Sequence, residues 1–555
     1  MENLKFKGEN MTWIQNYDPL GNQWLSALVA FLPVALFFCC LLLLKLKGHV
    51  AGLLTVVLAM AIAISVYGMP TAMVGASFVY GFVYGMWPIA WIIVAAIFLY
   101  KLTDKSGYFS ILRDSIIAIT PDQRLQVILI GFCFGAFLEG AVGFGGPVAI
   151  TAALLVGIGL PPLYAAGLCL IANTAPVAFG AVGIPIIAMA GVVGVPAIEI
   201  SAVAGKMLPP LSVFVPFFLV YLMNGFKGIK ETWPAVLVAG GSFAIVQFIT
   251  ANYLGPELPD IASAVVSIAC TTIFLRFWQP RKLFVFESVS DKKNKVKTHA
   301  TNQIVLAWLP FVVLIIAILI WTQGWFKALF VGEGALAFTT LKFNFEALSG
   351  VIQTAPVVVA EKAVNSTYTL PLINTVGTSI LLTALITIPL LKIKPSVAIS
   401  AFGETLNEMK MAILTIGLVV GFAFVCNNSG ISASLALAFA QTGDAFAFFS
   451  PIVGWIGVFL TGSDTSSNLL FGTLQQLTAR QVGVPEVLFL AANSVGGVVG
   501  KMISPQSIAI ACVAVGLVGR ESELFRFTVK YSIGFVIIIG ILVYLAAFVF
   551  PGILA

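Results

Sequence analysis

Runs of about 20 apolar residues, the length an α-helix needs to cross the hydrocarbon layer, recur along almost the whole chain. Twelve full spans are read, at about 25–44, 50–67, 86–102, 162–192, 200–222, 232–253, 261–277, 302–322, 373–391, 411–426, 485–512 and 528–550. Only 9% of the 555 residues are charged and 60% are hydrophobic, where ordinary soluble domains are about 25% charged. A chain so poor in charge cannot present a wetted surface over its whole length. That excludes a soluble enzyme, a nucleic-acid binder and a disordered scaffold together, and the class expected is an all-α polytopic membrane protein.

Two further apolar stretches are interrupted at their middles. The one at 123–158 is broken by EGAVGFGGP and the one at 446–480 by TGSDTSSN. Neither half of either stretch looks long enough to cross alone, so each reads as a re-entrant hairpin with a polar tip. Lys and Arg collect in cytoplasmic loops, and one alternation of spans accommodates them. It starts from an extracytoplasmic N-terminus and places Lys45, Lys47, Lys101, Lys105, Arg124, Lys227, Lys392, Lys394 and Arg520 inside, with the basic loop 278–301. It leaves the loop of Glu257 and Asp260, the stretch 323–372 and both termini outside. The chain then divides into an external N-terminus (1–24), N-terminal helices (25–85), a first repeat with following helices (86–277), the basic loop (278–301), linking helices (302–392) and a second repeat with a last helix (395–555). The polar start lacks the apolar core of a cleaved leader, so none is expected. The seven cysteines lie in apolar stretches without a CxxC pair, and His49 and His299 fall in polar connections. No metal or other cofactor is expected from such a set.

The chain also aligns with itself. IANTAPVAFGAVGIP (Ile171–Pro185) lies on AANSVGGVVGKMISP (Ala491–Pro505) without a gap, matching Asn173 to Asn493, Thr174 to Ser494 and Pro185 to Pro505. Phe137–Gly140 (FLEG) falls on Phe459–Gly462 (FLTG), and the pair Ser106-Gly107 on Ser429-Gly430. The leading span of one copy ends inside and that of the other outside, so the copies are expected to be inverted. Inverted repeats with broken helices are the common plan of secondary transporters, with substrate held near the midplane where the breaks meet. Irregular backbone in the hydrocarbon layer is costly unless it is buried in protein or lines a wet cavity. Two tips and two broken spans are therefore expected around one site, where free N–H groups at helix starts suit an anion.

The candidate residues follow from that plan. Glu139 stands at the first tip after a long uncharged run, and a carboxyl at such depth is a functional candidate. Removal from water favours its neutral form, which suits a proton carrier. Gly143 and Gly145 permit a tight turn and close approach of a ligand to the backbone. The second tip offers Ser463, Asp464, Thr465, Ser466 and Ser467, hydroxyls and a carboxyl for a small oxygenated solute or a cation. Asn173 and Thr174, with Asn493 and Ser494, add amides and hydroxyls at the two expected breaks. Lys501 is the one cation deep in its span, fit to neutralise a bound carboxylate or to pair with Asp464 or Glu139. The string GGVVGKM around it is not a nucleotide-binding loop, since Val495 and Met502 occupy positions that need Gly and Ser or Thr. Glu139 is expected to carry the proton and Asp464 to stay ionised, both being proton-coupling candidates. Gly81 and Gly85 form a GxxxG pair that hints at close helix packing.

The strings that carry these residues also resemble a known family. GFCFGAFLEGAVGFGGPVAITAALLVG (131–157), YAAGLCLIANTAPVAFGAVGIPI (164–186), FLTGSDTSSN (459–468) and GKMISPQSIAIACVAVGLVGRESELFRFT (500–528) are similar to the bacterial L-lactate permease family, and the likeness covers essentially the whole chain. Gly146 stands where many relatives are expected to carry Ala. The resemblance implies a transporter and not an enzyme, one that carries L-lactate, D-lactate and glycolate through the bacterial inner membrane with protons. Its partners are then a small 2-hydroxymonocarboxylate, protons and the bilayer, with neither nucleic acid nor nucleotide. Homo-oligomerisation and a sodium-coupled carrier of the same fold stay open.

Overall fold

The computed structural model describes residues 4–7, 10–44, 46–143, 146–286 and 299–552. Among these, eleven helices are long and apolar enough to cross a membrane, or twelve if the bent pair Pro162–Ala172 and Val177–Val193 counts as one span. The protein is thus a multi-pass helical membrane protein, and the expected count of about twelve spans holds. Gly145, and the basic-loop residues Lys292, Lys293, Lys295 and Lys297, lie outside the described residues.

Several boundaries differ from expectation for physical reasons. Thr71–Tyr84, left between the spans expected at 50–67 and 86–102, is a helix that runs into a six-residue segment, Gly85–Ala90, broken at the extended Trp87 (φ −139, ψ 119), before Trp91–Lys105. It can pack there because its glycines meet other glycines. A Cβ on Gly85 would stand 2.9 Å from Gly417 Cα, and one on Gly81 2.9 Å from Gly421 Cα. The Gly81/Gly85 pair therefore faces a second GxxxG pair on the long helix Pro395–Ser429, and the two backbones approach closely.

The spans expected at 200–222 and 232–253 form one 57-residue helical element, Ala197–Tyr253, that leaves helical geometry only at Asn224 and Gly225. Its halves run antiparallel, since Ser201 Oγ donates to Ala251 O at 2.8 Å and Ser212 Oγ to Gln247 Oε1 at 2.6 Å. The interrupted stretches also have longer arms than expected. Gln123–Ala141 and Gly443–Thr461 are each 19 residues and pass as spans by length and composition. Their partner arms are Gly146–Gly157 and Asp464–Val482. At the foot of the first arm, Arg124 is fully buried and bound to Asp122, to Glu231 and to the Lys282 carbonyl.

The stretch 323–372 is not a plain loop. Thr340–Asn344 pairs antiparallel with Thr367–Pro371, and Val351–Gln353 pairs with Asn10–Ile14 and with Lys362–Ala363. In TYTLP threonines flank Tyr368, the buried residue of that strand, which suits a half-covered strand. The pairing of Asn10–Ile14 with Val351–Gln353 fixes the N-terminal segment and the 323–372 stretch on one face of the helical body.

Candidate functional site

Four irregular points of the backbone meet inside the helical body. The first arm ends at Val142, and Gly143 takes a φ of +65. A Cβ there would stand 3.0 Å from Ala181 Cβ, so Gly143 admits both the turn and the neighbour. The second tip turns at Gly462, with φ +73, and Ser463 caps the next helix by accepting the Ser466 N–H at 3.2 Å.

The first broken span stops at Asn173 and passes through left-handed Ala181, Val182 and Gly183 before helix resumes, the whole bent by 64°. Two non-glycine residues in that region cost on the order of 1–3 kcal/mol each. Packing holds them there, because a Cβ on Gly183 would stand inside contact distance of the Pro256 carbonyl. The second span breaks at Lys501–Ile503 and resumes at Pro505 behind a Ser504 cap. Asn493 and Ser494, expected at this break, lie instead within the regular helix Glu486–Gly500. In the gap-free self-alignment Lys501 stands on Ala181, so the true points of interruption correspond just ahead of Pro185 and Pro505.

These points bring the charges together. Lys501 Nζ donates to Glu139 Oε1 at 2.6 Å, and Asn173 Nδ2 donates to Glu139 Oε2 at 3.2 Å. Glu139 is 2% exposed and Lys501 7%. A Cβ on Gly180 would stand 2.7 Å from Glu139 Oε1, so the glycine makes room for the pair. Burying two ions costs several kcal/mol each and is offset only by close geometry and added hydrogen bonds, and Asn173 supplies one of those bonds.

Asp464 makes a different environment. Its Oδ2 accepts from Ser494 Oγ at 2.5 Å and from Asn468 Nδ2 at 3.5 Å. Asn468 also donates to the Pro185 carbonyl and accepts from Asn493 Nδ2 at 2.8 Å. Gln475 Nε2 in turn donates to Asn493 Oδ1 at 3.0 Å, and Gln475 is itself held by Ser450. This amide chain ties the second tip to the second broken span and, through Pro185, to the first. Asp464 Oδ1 is buried without a hydrogen-bond partner. A Cβ on Gly497 would overlap that oxygen, so only glycine fits behind it.

Between the pair and Asp464 lies a cavity whose water-accessible volume is about 60 Å³. At roughly 10–15 Å³ per water it holds about four to six. The first half of the chain gives it Glu139, Gly143, Gly180 and Ala181, and the second half Ser463, Asp464, Thr465 and Lys501. Among the described residues Lys501 is the one cation on its wall.

Residues 26–550 match the family model described as L-lactate permease. The chain belongs to the L-lactate permease family. It is 55% identical over 542 residues to the L-lactate permease of Escherichia coli (strain K12), covering 97% of this chain and 98% of that protein. It is 54% identical over 557 residues to the glycolate permease GlcA of the same strain, covering 98% and 100%. The L-lactate permease of Bacillus subtilis is 49% identical over 558 residues. Among solved structures, the Alcanivorax borkumensis YdaH transporter aligns with a TM-score of 0.47 and 14% identity, over 87% of this chain and 89% of that one. The L-lactate permease family is one of transporters and not of enzymes.

In this family member the candidate residues sort into three groups. Glu139, Gly143, Ser463, Asp464, Thr465 and Lys501 reach the cavity wall. Asn173 and Ser494 stand behind it and bond the wall residues Glu139 and Asp464, while Asn493 donates to Asn468, which in turn donates to Asp464. Thr174 and Ser467 serve backbone carbonyls, those of Ile171 and Gly454, and Ser466 offers its N–H to the Ser463 cap.

The sequence reading missed Gln506 and Ser507, which line the cavity from the start of Pro505–Val515, and the fully buried Gln475. A glutamine inside a long buried arm was the available signal for the last. Asp260 is a correction. It was read as part of an external loop, yet it sits 1% exposed in the first turn of Pro259–Phe277. The absence of a side chain on Gly140 lets it in, since a Cβ there would stand 2.6 Å from Asp260 Cβ.

Proposed function

We propose that this chain imports L-lactate, and with it D-lactate and glycolate, through the bacterial inner membrane by proton symport. An L-lactate permease and a glycolate permease at 55% and 54% identity over nearly full length support L-lactate and glycolate. The coupling rests on one observation, the Lys501–Glu139 ion pair at the cavity wall. Lys501 neutralises one carboxylate at a time. A substrate anion takes its place on Lys501 when Glu139 is protonated, because a second buried negative charge beside one ammonium is left uncompensated. Anion and proton therefore travel together. The substrate's 2-hydroxyl, a donor, is expected to find its acceptor among Ser463, Asp464 and Thr465 on the cavity wall. A 2-oxo acid has no hydroxyl to give it, so pyruvate is expected to compete poorly.

The two broken halves act as inverted partners that expose the cavity to each side in turn. Both termini and the sheet-bearing face are external in this reading. A sodium-coupled carrier is the second reading, and the Asp464 carboxyl beside the wall hydroxyls of Ser463 and Thr465 favours it. Labelled lactate uptake into proteoliposomes separates the two. Accumulation under an imposed pH gradient, without sodium, supports symport with protons, and accumulation that requires a sodium gradient refutes it.

A further inference from the structure

Asp260 is used by neither the substrate site nor the helix ladder around it. It is buried, and among the described residues neither carboxyl oxygen has a hydrogen-bond partner. It is absent from the cavity wall and packs against Gly140, the residue after Glu139. The short helix Gly135–Ala141 thus presents Glu139 to the cavity and Gly140 to Asp260. The charges that act on Asp260 are those of Glu139 and Lys501. The other elements packed on its helix are Val127–Phe134, Gly180–Val193 and the long element Ala197–Tyr253. A carboxylate with neither oxygen satisfied costs far more out of water than the neutral acid does, so Asp260 is held here with its proton.

The chain just before it leads outward. Leu254–Leu258 crosses the left-handed break, with the Pro256 carbonyl against Gly183. Glu257 lies in that connection, outside the spans, and burial pushes its carboxyl up to about 7 while the charge of Lys327 opposes the shift. Glu257 is part-exposed, and the cation in its field, Lys327, belongs to the 323–372 stretch that carries the sheets.

We propose that Asp260 relays protons from the sheet-bearing face to Glu139, so that proton and substrate reach the Glu139–Lys501 pair from opposite sides of one short helix. When substrate approaches Lys501, an O–H bond breaks at Asp260 and one forms at Glu139, a water passing the proton between them. Asp260 regains a proton from bulk water on that face by way of Glu257. Each passage delivers one positive charge, matching the one negative charge that the substrate places on Lys501. The inference rests on the proton-coupled reading above.

The test compares two activities of the full-length protein in proteoliposomes, pH-driven accumulation of labelled lactate and lactate–lactate exchange without a gradient. In Asp260→Asn, accumulation is expected to fall by about tenfold or more, the scale of a lost proton-transfer group, and exchange by less than about threefold. Asp260→Glu, which keeps a carboxyl, recovers accumulation. Glu257→Gln changes no buried span and should slow accumulation without slowing exchange. Accumulation in Asp260→Asn equal to wild type overturns the relay, and so does parallel loss of both activities, which marks a packing role. Unaltered accumulation in Glu257→Gln overturns the route as drawn. If the wild type itself shows no pH-driven accumulation, the symport reading falls and the relay with it.

Discussion

Lys501 has one buried carboxylate against it and two further buried carboxyls, Asp260 and Asp464, in its field. Removing one partner of such a pair strands the other charge at a cost of about 3–5 kcal/mol. Lys501→Met should therefore lower the yield of monodisperse protein and its thermal midpoint. Adding Glu139→Gln to it should restore both without restoring transport. Glu139→Gln alone mimics the protonated acid, and it should abolish pH-driven accumulation while sparing lactate exchange; full accumulation by that variant would move the proton to another carboxyl. Glu257 supplies a pH dependence with a fixed sign. Its folded-state value, about 7, lies above the ordinary 4.5, so the folded protein holds the proton more tightly than the unfolded chain. Stability from this group is present below about pH 4.5 and is lost as pH rises through 7. A thermal midpoint that falls less between those limits in Glu257→Gln than in wild type is the expected result.

Glu139, Asp464 and Lys501 were legible in the sequence because each interrupts an apolar run that has no use for a charge. Asp260 was not, since PELPD reads as a proline-bounded loop. What buries it is a glycine on a different helix. The direct partner of Lys501 was equally out of reach, because spacing along the chain does not say which of two carboxyls lies across the cavity.

At the scale of elements, all-round apolar helices were easy to find and their interruptions harder to place. Asn493 and Ser494 suggested a break, but their polar groups are satisfied inside a regular helix by Gln475, Asn468 and Asp464. The backbone gives way further on, ahead of Pro505, where the proline ring offers no N–H to the preceding turn. Helix contacts in this half depend on bare backbone. A Cβ on Gly454 would overlap the Asn493 carbonyl, one on Gly496 the Pro451 carbonyl and one on Gly500 the Trp455 carbonyl. Overpacking of a closed seam costs typically 1–3 kcal/mol, and here main chain must move. Gly496→Val is expected to lower the thermal midpoint and to impair substrate binding together, because the same helix carries Ser494 to Asp464. A Gly496→Val protein with wild-type stability would show that the seam is looser than drawn.

For the molecule as a whole, span count and fold class were legible because lipid imposes length and apolarity directly on the sequence. The small sheets were not, since Asn10–Ile14 and Val351–Gln353 are far apart in the chain and pair only once the helices have brought them to one face. The orientation proposed for that face is open to a direct check. A cysteine at Val359, fully exposed, should react with an impermeant reagent in intact cells, and one at Leu283, 58% exposed, should react only after the membrane is opened. The reverse pattern would invert the whole topology. The central claim, that one ammonium serves either Glu139 or the substrate and so ties anion to proton, is tested most directly by lactate affinity of the purified protein as pH is raised. Wild-type Kd is predicted to rise about tenfold per pH unit on the alkaline side, and that of Glu139→Gln to stay flat. A wild-type affinity indifferent to pH, or a variant affinity that still falls tenfold per unit, would contradict it.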